Sequence, residues 1–240
     1  MILAIERWSL RIAPVLAIPA TLASLAAVFV WVPNDRALGL SQRIFYWHVP
    51  SATACFVAFA IAGISSLAYL RTRSSLWDHA AHAGVSVGMM FATIVLGTGC
   101  IWAHTAWGTW WTWDSRLTTF LVLWLVFASY LLLRMFARDN ELAPRYAAVL
   151  AIVGAVNVPL VMMATRLFRT IHPQVIRNPQ GGIDDPRMVQ ALLVSFVAFA
   201  SMLMWLWALK LSELRATERL DLLEGDLHAG VNHDRDAGRA

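Results

Sequence analysis

Six apolar runs, 12–32, 49–70, 84–102, 118–133, 146–164 and 188–209, make up most of the chain, and the segments between them are rich in arginine, proline or tryptophan. Each run is close to the ~20 residues that a helix needs to cross a hydrocarbon layer of about 30 Å. The pattern predicts an all-α polytopic membrane protein with six transmembrane helices. Composition agrees, because 59% of the 240 residues are hydrophobic, against about 45–50% apolar in soluble domains. The first run exceeds the ~7–15 residue core of a cleaved signal peptide, so it is expected to remain as a span.

The breaks between runs define the expected organisation. Pro33-Asn34-Asp35-Arg36 ends the first span, Pro50 suits the first turn of the second, and Asn157-Val158-Pro159 predicts a kink in the fifth. A membrane domain over 1–211 is followed by a polar tail over 212–240. In that tail 212–224 has the spacing of a short surface helix, and disorder is expected after Gly225. An even number of spans puts both termini on one side. That side carries Arg7, Arg11, Arg71, Arg73, Arg134, Arg138, Arg145, Lys210, Arg215 and Arg219 against Arg36, Arg43, Arg116, Arg166, Arg169, Arg177 and Arg187 on the other, a modest excess that favours cytoplasmic termini. The formal net charge of +4 is thus read as a topology signal, and no nucleic-acid partner is expected. Cys55 and Cys100 lie in apolar runs and form no CxxC or CxxCH pattern, which argues against a covalent c-type haem site, a redox pair or a thiolate cage.

The outer connections hold the unusual residues. Five of the twelve tryptophans fall between Trp102 and Trp113, followed at once by Asp114 and Arg116. Indoles anchor a protein at the headgroup level, and they also make flat stacking surfaces for a planar ligand. Trp107, Trp110, Trp111 and Asp114 follow an i, i+3, i+4, i+7 spacing, which predicts a short interfacial helix within the outer-face segment 102–118. Asp114 has the place of an N-cap for the fourth span, and Arg116 in its first turn opposes the helix dipole unless a negative partner is near.

Of the seven histidines, His48, His104 and His172 fall on the tryptophan side; His79 and His82 fall on the other. Two neutral imidazoles on opposite faces of a planar macrocycle hold haem iron axially, and an aromatic shelf suits the porphyrin edge. His48 and His172 are the candidate ligands. Trp107, Trp110, Trp111 and Trp113 form the candidate shelf, and Arg43 and Arg116 the candidate partners of the propionates, with Asp114 orienting Arg116. A copper or zinc site would need three or four ligands close together, and only His104 offers a third. A quinone-linked or di-haem redox enzyme is the alternative; it would need histidine pairs near both leaflets, whereas His79 and His82 share one helix start.

These residues carry a resemblance. Trp107-Gly-Thr-Trp-Trp-Thr-Trp-Asp-Ser-Arg-Leu-Thr118 resembles the tryptophan-rich signature of haem-handling proteins in cytochrome c maturation. Arg43-Ile-Phe-Tyr-Trp-His-Val-Pro50 and Thr170-Ile-His172 resemble the two flanking histidine motifs of the CcmC family, over the six-span plan and nearly the whole chain except the tail. The larger relatives CcmF and CcsA carry further histidine-bearing spans, for which this chain is too short. The resemblance implies a non-enzymatic protein of the bacterial cytoplasmic membrane that binds haem b transiently on its outer face, the iron held by two histidines. It implies delivery of that haem to the chaperone CcmE, alongside the ABC-transporter components CcmA and CcmB and the small subunit CcmD. No GxxxxGK[ST] loop occurs, so any energy from ATP is expected from a partner. Two positions depart from the family pattern: Leu167 and Phe168 stand where larger aromatics are expected before the second histidine, and 178–187 matches no family motif.

Overall fold

The computed structural model describes residues 1–36, 38–137, 140–168, 172, 183 and 185–237, with side chains to 225. Among these, six helices are long and apolar enough to cross a membrane. They are α1 (Ile2–Ala26), α2 (Phe45–Thr72), α3 (Ser75–Trp107), α4 (Ser115–Phe136), α5 (Ala143–Leu167) and α6 (Pro186–Ala237). A π-helical turn, Ala27–Trp31, prolongs α1, and a 3-10 turn, Leu40–Ile44, leads into α2. The protein is an all-α polytopic membrane protein, as the apolar runs predict.

Several helices run past the apolar segments because polar residues beyond them find partners. Helix α1 starts at Ile2, and its Glu6, only 4% exposed, accepts a hydrogen bond from Arg215 on α6. Helix α3 starts at Ser75, and Asp78 in its first turn forms a two-pronged pair with Arg134 of α4, Nη1 to Oδ1 at 3.1 Å and Nη2 to Oδ2 at 2.9 Å. Such planar, bidentate pairing compensates charges taken out of water. The segment 212–224, expected as a separate surface helix, is the continuation of α6. Helix α5 stays helical through Pro159, and Asn157 Nδ2 donates to Thr119 O of α4 at 3.4 Å.

Helix α2 sits at the centre, packed on α3, α5 and α6, while α1 lies along α6 and α4 along α5. The close approach of α2 and α3 depends on small residues, as is usual where helices meet inside a bilayer. Gly88 of α3 lies against Phe59 of α2, where a Cβ would fall 2.6 Å from the ring. Phe59 in turn stacks on Phe127 of α4 with centroids 3.7 Å apart and planes within 8°. The core so formed, with Phe59, Val85, Phe91, Leu123, Phe127 and Val161 all at 0% exposure, fixes the helix ends that build the site.

Candidate functional site

The tryptophan stretch begins where α3 stops. Gly108 takes φ +73°, the left-handed conformation that closes a helix, and its N–H donates to His104 O at 3.0 Å. Asp114 starts α4, its Oδ1 accepting from the Arg116 backbone N–H at 3.0 Å, so the capping role read from the sequence holds. Between them 108–114 is not helical. The expected short interfacial helix is therefore corrected: Trp107, Trp110, Trp111 and Asp114 do not share a helical face. Its stop and start signals lie too close together for a helix to nucleate, and Thr109 Oγ1 bonds locally to Trp111 O at 3.1 Å.

This backbone divides the tryptophans. Trp107 and Trp111 line a cavity of ≈ 460 Å³. Trp110 and Trp113 do not line it and are 57% and 77% exposed, Trp110 stacking on His104 at 4.3 Å and Trp113 meeting Trp111 edge-on at 5.8 Å. The cavity volume is that of a small-molecule or cofactor site. His48, Trp102, Arg116, Arg166 and His172 share its wall with Trp107 and Trp111. One to two turns further along α2 the lining becomes apolar, with Ala52 and Phe56 facing Leu96 of α3 and Phe120 of α4.

The two histidines reach this cavity from different elements. His48 lies in the first turn of α2, with Nδ1 2.9 Å from Thr98 Oγ1 of α3. Gly99, next along α3, leaves room for the ring, since a Cβ there would stand 3.2 Å from His48 Cε1. His172 follows α5 in the chain and meets Trp107 edge-on at 6.2 Å. Burial, then the Arg116 guanidinium and the His48 ring, push the His172 imidazole from an ordinary 6.5 down to about 3, against the opposing pull of Asp114. A lowered value means that His172 is neutral at all higher pH, and the neutral imidazole is the form that ligates a metal.

The arginines sort differently from the sequence expectation. Arg116 lines the cavity, but Arg43 does not; its Nη1 donates to Phe29 O at 3.1 Å and its Nη2 to Asn34 Oδ1 at 3.4 Å, tying the lead-in of α2 to the end of α1. The second guanidinium at the cavity is Arg166, in the last turn of α5. A cation at a helix C-terminus is what the dipole favours, so nothing in the sequence singled Arg166 out. Nor does the sequence set Trp102 apart from the other tryptophans. It lines the cavity, and its buried Nε1 has no hydrogen-bond partner among the described residues.

His79 and His82 stand in the first turns of α3, at the opposite end of the bundle. His79 Nδ1 is 3.7 Å from Glu218, and the His82 ring is 6.0 Å from that of Tyr130. Among the described residues no group of three or more His, Cys, Asp or Glu is placed to hold a metal ion. Cys55 is buried and Cys100 lines the cavity, both as free thiols. The cavity thus joins two imidazoles, flat indoles, two guanidinia and an apolar floor. That donor set matches a planar, mostly apolar molecule with a metal centre and anionic groups at its edge.

The chain is also similar to known proteins along most of its length. The family model described as CcmC, heme exporter protein C, matches residues 2–222. Heme exporter protein C of Bradyrhizobium diazoefficiens is 35% identical over 168 residues, covering 70% of this chain and 64% of that protein. Its counterpart in Escherichia coli is 33% identical over 171 residues, covering 71% and 69%. A putative cytochrome c biosynthesis ccmC-like mitochondrial protein of Marchantia polymorpha is 30% identical over 174 residues, 72% of each chain. The matched part thus spans about two thirds of these relatives' length. Matched by that family model over residues 2–222 and by these relatives at 30–35% identity, the chain belongs to the CcmC, heme exporter protein C, family.

Proposed function

We propose that this protein binds haem b transiently in the cavity at the tryptophan end and delivers it for cytochrome c maturation. The observation that carries this proposal is the convergence on one cavity of His48 and His172, from separate elements, with Trp107, Trp111 and Arg116. The fit is chemical as well as spatial. Neutral imidazoles ligate iron, Trp107 and Trp111 offer flat apolar faces, and guanidinia pair with carboxylates. Arg116 and Arg166 take the propionate role, and Arg43, bonded to Phe29 O and Asn34 Oδ1, does not.

Haem here is cargo, and the work of the chain is to hold and release it. His48 and His172 bind the iron from either side, and the apolar lining formed by Phe56, Leu96 and Phe120 keeps water from the buried edge. Trp110 and Trp113, exposed beyond the cavity, anchor the segment at the membrane interface. Hand-over to a CcmE-type haem chaperone requires one axial bond to yield, and His172 is the ligand borne on a connection instead of a helix. CcmA, CcmB and CcmD are the partners that supply ATP-driven release. The excess of arginine and lysine on the terminal side supports an orientation with both termini in the cytoplasm and the cavity on the outer face, and the family resemblance implies the cytoplasmic membrane.

The experiment is an optical titration of the purified protein with haem. A low-spin spectrum of two-imidazole type is expected, and it should be lost in His48→Ala and in His172→Ala. Haem that binds with the same spectrum to both variants would refute the ligand assignment.

A further inference from the structure

Thr98 makes three contacts that together decide the state of His48. Its Oγ1 lies 2.7 Å from Ile94 O, 3.3 Å from Val95 O and 2.9 Å from His48 Nδ1. A threonine hydroxyl has one proton to give. In a helix that proton ordinarily goes back to the carbonyl four residues earlier, and the 2.7 Å separation from Ile94 O is the shortest of the three. Giving it to His48 instead would leave two oxygens 2.7 Å apart with no hydrogen between them. The lone pair of Oγ1 therefore faces His48, and Nδ1 must be the nitrogen that carries hydrogen.

We infer that Thr98 is a positioning residue that locks His48 in its Nδ1–H tautomer and so presents Nε2, lone pair free, to the iron of bound haem. The inference rests on the haem-binding function proposed above. Gly99 supports it from the next position, because the absence of a Cβ lets the ring sit within hydrogen-bond reach of Thr98. Metal-bound histidines generally donate their other ring N–H in this way, which orients the ring and makes the ligating nitrogen more basic. Here the acceptor is supplied by the neighbouring membrane helix, so the packing of α2 on α3 sets the ligand geometry directly.

Thr98→Val keeps the shape and removes the acceptor; Thr98→Ser keeps the acceptor and removes a methyl group. Both are compared with the unsubstituted protein by haem titration and by the reduction potential of the bound haem. Thr98→Val is expected to weaken haem binding about 10–100-fold. It should also raise the reduction potential, because a less basic imidazole stabilises ferric iron less. Thr98→Ser should restore both. A purely structural role would leave the potential of the remaining bound haem unchanged. Equal affinity and potential in Thr98→Val, or a serine variant as defective as the valine one, overturns the role of Thr98. If the unsubstituted protein itself lacks the two-imidazole spectrum, the haem proposal fails, and this inference with it.

Discussion

A Gly99→Ala substitution places one methyl group 3.2 Å from Cε1 and 3.9 Å from Nδ1 of His48, with no other heavy atom within 4 Å outside its own helix backbone and chain neighbours. Carbon atoms in contact prefer about 3.5–4.0 Å, so the ring has to move by a few tenths of an ångström. It cannot do so without disturbing its 2.9 Å bond to Thr98. The same substitution favours α3 as a helix, because alanine is better than glycine in a helix interior by about 1 kcal/mol. Stability and binding are therefore expected to move in opposite directions. Loss of the His48–Thr98 contact should lower haem affinity about 10–100-fold, or about 1.4–2.8 kcal/mol. The assay pairs a haem titration with the thermal midpoint of the haem-free protein in detergent. Unchanged affinity would refute the steric reasoning; a joint fall in affinity and midpoint would show that Gly99 serves packing and not His48.

Three further expectations concern other parts of the cavity and the bundle. Arg166→Gln should weaken haem binding about tenfold, the scale of a hydrogen bond to a charged group, and leave haem dimethyl ester binding untouched. Arg43→Gln should alter neither, and a loss confined to Arg43→Gln would restore the original pairing. Trp107→Ala and Trp111→Ala should each lower haem affinity about two- to tenfold while Trp110→Ala and Trp113→Ala do not, as judged by titration; equal losses at all four would mean that the non-helical backbone of 108–114 does not partition the shelf. Asp78→Ala should destabilise the bundle by about 3–5 kcal/mol by stranding Arg134, and Asp78→Leu with Arg134→Met should recover most of it, measured by unfolding in detergent. If the double variant is as unstable as the single one, the pair is not acting through an uncompensated charge.

Much of the molecule was legible because hydrophobic length is a strong signal. Each of the six apolar runs became a helix long enough to cross a membrane. What hydropathy could not show is how far each helix continues, since Glu6 with Arg215 and Asp78 with Arg134 are long-range pairs that let charged residues remain helical and buried. At the site, residue type, side of the membrane and the family motifs together marked His48, His172, Trp107, Trp111 and Arg116, which meet at the cavity. The spacing of Trp107, Trp110 and Trp111 misled, because an i, i+3, i+4 pattern is meaningful only on a helix and Gly108 had already ended one. Arg43 and Arg166 changed places for a related reason: proximity to a motif in sequence is no guide to which guanidinium a tertiary contact, here Phe29 O and Asn34, draws away. Thr98 lies fifty residues from His48, and only the packing of α2 on α3 brings them within 2.9 Å.

The central claim is that one cavity holds haem between His48 and His172, and the most direct test is an electron cryo-microscopy map of the protein prepared with haem. The account predicts density for the macrocycle against Trp107 and Trp111, with iron bonded to His48 Nε2 on one face and to His172 on the other. Iron ligated by His104, or by His79 and His82 at the opposite end of the bundle, would contradict it.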